Sequence, residues 1–280
     1  MQSAVFLILC LMALLGQTLS RRHVYVYDGY GTDELHMLRM AEHLENLLDA
    51  SYIIQRIGAD EIIQGDWADN AALFVMPGGF DLGFMHALGD EGAGKIRKYV
   101  REGGAYLGQG AGSYYACDRI EFDLDGLDEV VGDRPLKFYP GMCSGPLFGP
   151  YNYHNYNSVR AADINFRFVS ATTGVEEGRI NLQAHYNGGN TFNSPMAIQN
   201  TTCVPLAFFT ERDNDPAIVK CNTYSGRAVL TGVHLEFSSM NLNTNDRYLP
   251  LIQVQVYLSI LRHLGLNTRP MSVLLNMEHD

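Results

Sequence analysis

Basic residues are scarce in this chain. Its 280 residues include 20 Lys and Arg against 31 Asp and Glu, a formal net charge of −11. No basic patch exists to meet a phosphate backbone, which excludes nucleic acid as the partner. Charged residues make up only 18%, below the roughly 25% of an average domain. Apolar residues reach 46%, enough for a full core, and that excludes an intrinsically disordered chain. Neither CxxC nor HxxxH occurs, so spacing calls for no metal, and nothing calls for a cofactor. With 28 Gly and 16 Tyr, many tight turns are expected. The length fits one large α/β domain or two small ones.

Long apolar runs are also missing, with one short exception. Val5 to Leu15 (VFLILCLMALL) carries no charge and is followed by Gly16-Gln17-Thr18-Leu19-Ser20 and then Arg21-Arg22. The run is short for a bilayer span, so residues 1–20 read as a secretory signal peptide cleaved near Gly16 to Ser20. A signal anchor is the alternative, since no Lys or Arg precedes Val5. No other stretch approaches 18 apolar residues, so the expectation is a secreted protein with no membrane contact once the signal is removed.

Export changes how the cysteines are read. Cys10 leaves with the signal, and Cys117, Cys143, Cys203 and Cys221 remain, an even number for an oxidising compartment. Cys203 and Cys221 flank a stretch that reads as a β-hairpin turning at Asp213-Asn214-Asp215-Pro216. Cys203–Cys221 is therefore the first choice of pairing, leaving Cys117–Cys143; four buried thiols are the alternative. Asn200-Thr201-Thr202 is the only N-x-S/T sequon and a glycan acceptor if the chain is exported.

Strand and helix patterns alternate along the mature chain. Val24–Tyr27, Tyr52–Ile57, Ala72–Met76, Ala105–Gly108 and Ala228–Val233 read as strands. Leu35, Leu38, Ala41, Leu44 and Leu48 recur at helical spacing with one buried face. Lys95 to Glu102 is helical and stops at Gly103-Gly104, Ala111 to Cys117 starts a helix, and Pro250 to Leu264 is another. Such alternation implies a mostly parallel sheet flanked by helices on both faces. Residues 135–200, rich in Gly, Asn, Pro and Tyr, allow only short strands and turns. One domain is expected over residues 21–265, with a patternless tail at 266–280.

Three segments converge on a chemistry at the carboxyl ends of strands, where open α/β sheets bind ligands. Gly108-Gln109-Gly110-Ala111-Gly112 joins a strand to a helix through a sharp turn, the geometry of a nucleophile elbow beside a helix N-terminus. His234-Leu235-Glu236 follows a strand, and the Glu can orient the His as a base. Met76-Pro77-Gly78-Gly79 offers a glycine pair whose N–H groups can face an oxyanion. Each has a structural alternative: His234 and Glu236 as a buried ion pair, Gln109 and Ser113 as packing or capping groups, Cys117 as core or disulfide. Tyr151-Asn152-Tyr153-His154-Asn155-Tyr156-Asn157 reads as a packed surface loop more than as a ligand groove.

In order and spacing, MPGGFDLGF (Met76–Phe84), GKIRKYVREGGAYLG (Gly94–Gly108), GAGSYYA (Gly110–Ala116), IEF (Ile120–Phe122), YNGG (Tyr186–Gly189) and GRAVLTGVHLEF (Gly226–Phe237) form a pattern. It resembles the biotin–protein ligase N-terminal family, from about Val24 to Leu264. The resemblance implies a class I glutamine amidotransferase-like, flavodoxin-like three-layer fold with a Gly/Asn/Tyr-rich insertion. It also implies His234 as base, Glu236 as orienting acid, and Gly78, Gly79, Gln109 and Ala111 around the oxyanion or ligand. In the family the elbow carries a cysteine; here that position is Gly110, which has no side chain to attack with. Beyond Leu264 no biotin-activating catalytic domain is expected, so the resemblance stops short of a ligase. The reading is a pseudoenzyme binding a small polar ligand or peptide in the old crevice. The alternatives are an amide or peptide hydrolase with a substitute nucleophile, and a structural or interaction protein without a ligand.

Overall fold

The computed structural model describes residues 22–149, 151, 158–193, 201–239, 242 and 249–277. The expected signal segment, Asn200 and Asn152–Asn157 lie outside the described residues.

The first half of the described chain runs β1 (His23–Tyr27), α1 (Glu34–Leu47), β2 (Ile53–Ile57), α2 (Ala59–Gln64), α3 (Trp67–Asn70), β3 (Ala71–Met76), α4 (Asp81–Arg101), β4 (Ala105–Gln109), α5 (Ala111–Tyr114) and β5 (Cys117–Phe122). It continues through β6 (Val130–Asp133), β7 (Tyr139–Gly145), β8 (Arg160–Val169), β9 (Glu176–Tyr186), β10 (Thr191–Phe192), β11 (Thr201–Phe209), β12 (Asp215–Thr223), β13 (Gly226–Thr231), α6 (Leu251–His263) and α7 (Met271–Met277). The main sheet has nine strands in the order β2-β1-β3-β4-β13-β12-β11-β8-β9. The five from β2 to β13 are parallel, and the remaining four continue the sheet antiparallel. A second sheet, β10-β7-β5-β6, packs beside it.

Apart from the edge strand β2, the parallel strands are apolar on both sides, and their alternation sorts two cores. Val24, Val26, Leu73, Val75 and Leu107 join one cluster with α1 and α6. Tyr25, Tyr27, Phe74, Met76 and Tyr106 join the other with α4, Trp67 and the second sheet. The result is a three-layer α/β architecture, as the sequence pattern implied. Asp33 caps α1 by accepting from the amides of Leu35 (2.9 Å) and His36 (3.2 Å), which satisfies two of the helix's free donors. Gly103, at φ +105, follows the end of α4, as expected of a C-terminal glycine.

The structure corrects several details. The buried face of α1 is Met37, Met40, Leu44 and Leu47 together with His36, Arg39 and His43, while Leu38 lies on the exposed side. The face is rotated from the expected leucine stripe because methionine and histidine supply much of the buried volume. The helix after Gly110 lasts a single turn, and Cys117 opens a strand instead. Residues 135–200 hold two of the longest strands, β8 and β9, which pair in register from Arg160↔Tyr186 to Phe168↔Gly178. β13 ends at Thr231, so His234 and Glu236 stand in the connection beyond it. The tail carries α7, with Leu274 in the core.

Both expected disulfides are present, Cys117–Cys143 across the second sheet and Cys203–Cys221 between β11 and β12. Cys203 and Cys221 are direct partners in the antiparallel ladder, with Cα atoms 4.1 Å apart. No helix among the described residues is long and apolar enough to cross a membrane.

Candidate functional site

The carboxyl ends of β1, β3, β4 and β13 open onto a crevice of about 600 Å³. Gly110 stands in its wall at φ +51, ψ −114, a backbone that L residues adopt only under strain. The Gly110 amide donates to the Thr231 carbonyl (3.0 Å), and its own carbonyl accepts from Ser113 and Tyr114. The sharp strand-to-helix turn of an elbow is thus built without a side chain at its apex.

His234 faces that apex. A Cβ placed on Gly110 would lie 2.8 Å from His234 Cε1 and 3.1 Å from Nε2. His234 is pinned from behind: its Nδ1 lies 2.9 Å from Glu236 Oε1, and its amide donates to the His185 carbonyl at 2.8 Å. Glu236 is fully buried and collects two more donors, His36 Nδ1 on Oε1 (2.8 Å) and Gln109 Nε2 on Oε2 (2.8 Å). Burial would push this carboxyl's pKa up, but the His234 and His36 rings outweigh it and hold it well below the ordinary range. An ionised carboxylate only accepts, so the Nδ1 atoms of both histidines carry the protons. His234 thus turns Nε2, the ring nitrogen not bonded to Glu236, toward Gly110, where the base beside an elbow stands.

The remaining expected residues are placed as follows. Gly79 and Ala111 line the crevice with Gly110 and His234. Gly78 lies against the His36 ring, whose Nδ1 is 2.7 Å from where a Cβ would be, so a glycine there is what lets His36 reach Glu236. The Gly78 carbonyl accepts from the Asp33 amide (3.0 Å), and the Phe80 amide donates to Gly31 (2.8 Å), tying this turn to the loop before α1. Gln109 is fully buried behind the crevice and holds Glu236 instead of facing a ligand. Ser113 is fully buried away from the lining, and Cys117 is engaged with Cys143. Among the described residues lining the crevice there is no serine or cysteine.

Sequence reasoning missed His36, His43 and His185. His43 Nε2 reaches the Glu236 carbonyl at 3.1 Å, while His185 packs its ring 6.0 Å from that of His234. Burial drives the pKa of His185 down to about 3, with His234 adding to the effect, and burial also lowers that of His43. A signal for two of them was available: His36 and His43 are seven apart, two turns along one helix face. His36, His234 and Glu236 bring their ligand-type atoms within 4.8 Å of one another, the donor set of a two-histidine, one-carboxylate metal site. In this arrangement both histidines bond the Glu236 carboxylate directly. Sequence spacing could not reveal the set because its members come from two distant segments.

Residues 22–263 match the family model described as biotin–protein ligase, N terminal. The chain belongs to this family. A biotin–protein ligase of Schizosaccharomyces pombe is 30% identical over 245 residues, covering 87% of this chain and 38% of that protein. An uncharacterised protein of Chlamydia muridarum is 32% identical over 173 residues, covering 61% of this chain and 62% of its own. The chain thus spans about a third to two thirds of the length of these relatives. Among solved structures, a ThuA-like protein from Bacteroides uniformis superposes with a TM-score of 0.47 at 8% identity, covering 85% of this chain and 91% of its own. The β-galactosidase Gan42B gives the same TM-score at 10% identity over 89% of this chain and 30% of that one.

Proposed function

We propose that this biotin–protein ligase N-terminal family member is a secreted pseudoenzyme that binds a small polar ligand or peptide in the crevice between Gly79, Gly110 and His234. The observation that carries this reading is the glycine at the elbow. Nucleophilic catalysis needs an attacking atom within hydrogen-bond reach of a base, and at Gly110 there is none. Cys117 is held in a disulfide and Ser113 is buried outside the lining, so neither supplies a substitute. The Glu236–His234 pair and the open cavity favour binding over a purely structural role, because both remain at the crevice although no nucleophile needs them. The two disulfides and the apolar N-terminal run support passage through the secretory pathway, with removal of residues 1–20 and a glycan on Asn200.

The test has two arms. The purified protein should show no amidase, glutaminase or peptidase turnover above background, and a thermal-shift screen of amides, amino acids and peptides should yield a stabilising ligand. Hydrolysis that disappears in His234→Ala would replace the proposal with the hydrolase reading. Gly110→Cys should place a thiol beside His234 that iodoacetamide alkylates faster than an ordinary exposed cysteine. An inert thiol there would mean that the elbow no longer presents its apex to the base.

A further inference from the structure

We propose that His36, His185, His234 and Glu236 form a binding site for one zinc-class divalent ion in the wall of the crevice. The inference goes beyond the ligand reading above and does not depend on what the crevice binds. His36 Nδ1 and His234 Nδ1 converge on a single oxygen, Glu236 Oε1, at 2.8 and 2.9 Å, although the carboxylate has two. The other oxygen, Oε2, is held by Gln109 Nε2 at 2.8 Å, which fixes the carboxylate so that Oε1 alone faces the two rings. The three ligating atoms lie within 4.8 Å of one another. Ligands on a tetrahedral zinc stand about 3.3–3.5 Å apart, so each contact opens by only about half an ångström to admit the ion. One doubly charged ion then takes the place of the two N–H hydrogens aimed at Oε1, and each neutral ring keeps its proton on Nε2.

His185 points to an ion independently. It is 1% exposed, and neither of its ring nitrogens has a hydrogen-bond partner among the described residues. Buried polar groups are nearly always satisfied, so two orphan nitrogens on one ring call for a partner. His185 and His234 stand opposite each other in an antiparallel bridge, so their side chains leave the same side of it. Their ring centres are 6.0 Å apart, and those of His36 and His234 are 4.4 Å apart. Two imidazoles on one tetrahedral ion hold their centres about 5 Å apart, between these two values. A small inward turn of His185 and a small outward turn of His36 therefore close the set. Three imidazoles and one carboxylate are ligands that suit zinc. Glu236 is anchored for the task, since its carbonyl accepts from His43 Nε2 at 3.1 Å. His36 and His234 both line the crevice, which gives the ion its way in.

Calorimetric titration of the EDTA-stripped protein with zinc(II), against a competing chelator, counts the sites and measures their affinity. One equivalent should bind and raise the melting temperature, and cobalt(II) in its place should show the intense visible bands of a four-coordinate ion. His36→Gln removes a ligand and should weaken zinc by more than about 100-fold, whereas Gln109→Ala removes only the hydrogen bond that orients the carboxylate and should weaken it about 10–100-fold. His185→Phe should shift the cobalt bands, because the fourth ligand changes from a ring nitrogen to a water oxygen. His86→Gln, at an exposed histidine of α4, should change nothing. Melting curves in EDTA establish that each variant is folded before it is titrated. If His36→Gln does not fold, Gln109→Ala carries the affinity test and His185→Phe the spectroscopic one. The proposal is overturned by a wild-type protein that binds no equivalent, by an affinity that His36→Gln and Gln109→Ala leave unchanged, or by the weak bands of six-coordinate cobalt. Unshifted bands in His185→Phe overturn the four-ligand set, and loss of binding in His86→Gln would mean an adventitious ion only.

Discussion

Placing a methyl group on Gly110 measures how closely the crevice is built around its glycine. Two costs are expected in Gly110→Ala. The backbone at φ +51, ψ −114 is strained for any L residue, by about 1–3 kcal/mol. The new Cβ would also stand 2.8 Å from His234 Cε1, inside any ordinary carbon contact. His234 cannot simply swing away, because Glu236 and the His185 carbonyl fix it at both ends. Overpacking of this kind costs about 1–3 kcal/mol, so the total should be about 2–6 kcal/mol. Gly89 supplies the control, since it has φ +54 and nothing within 4 Å of its Cβ position. Gly89→Ala should show the backbone cost alone. Urea unfolding of Gly110→Ala, His234→Ala and the double variant closes a thermodynamic cycle. A favourable coupling of about 1–3 kcal/mol should appear when the ring is removed. If Gly110→Ala costs no more than Gly89→Ala and the cycle shows no coupling, His234 does not lean on the apex and the geometry argued here is wrong.

Three further outcomes are expected. Alkylation of denatured, unreduced protein should leave all four of Cys117, Cys143, Cys203 and Cys221 unlabelled, and Cys203→Ser with Cys221→Ser should cost about 2–5 kcal/mol by calorimetry. Four labelled thiols would refute the framework. Glu236→Ala removes the acceptor shared by His36, His234 and Gln109 and should destabilise by about 3–5 kcal/mol, by analogy with breaking a buried pair; a loss below 1 kcal/mol would refute its role. Acid should also destabilise. His185 binds its proton only near pH 3 when folded but near 6.5 when unfolded, so the unfolded chain holds the extra proton between those values. Its contribution is present above pH 6.5 and falls by up to about 1.4 kcal/mol per pH unit below it. Glu236, also depressed on folding, acts in the same direction below the ordinary carboxylate range. His185→Phe, measured by urea unfolding at pH 7 and pH 5, should flatten this dependence; an unchanged slope would refute the assignment.

The layered fold was legible because each inner parallel strand is a short apolar run punctuated by Gly, Pro or Asp, and such runs mark themselves. The β8–β9 hairpin was not, since its solvent-facing positions carry Arg, Asp, Asn and Gln, so the run never looks apolar. The elbow and the His234–Glu236 pair were readable from local motifs of three to five residues. His36 was not, because what makes it part of the site is Gly78, a neighbour in space with no side chain to announce the contact. The roles of Gln109 and Gly78 also separated on folding: both sit in motifs that end strands, yet their surroundings turn them toward Glu236 and His36 and away from a ligand.

The bond from His36 to Glu236 spans 200 residues, and that from Gln109 spans 127. During synthesis the histidine emerges first and must wait for its acceptor. At about 5–20 residues per second, that wait is roughly 10–40 seconds. Over the same interval β4 lacks its neighbour, because β13, which completes the parallel sheet beside it, is made late. A nascent chain therefore carries an open sheet edge and an unassembled crevice together, and one late segment closes both. Residues 226–236 act as a clasp on the newborn molecule: truncation ahead of them should leave a chain that pairs with other chains instead of with itself.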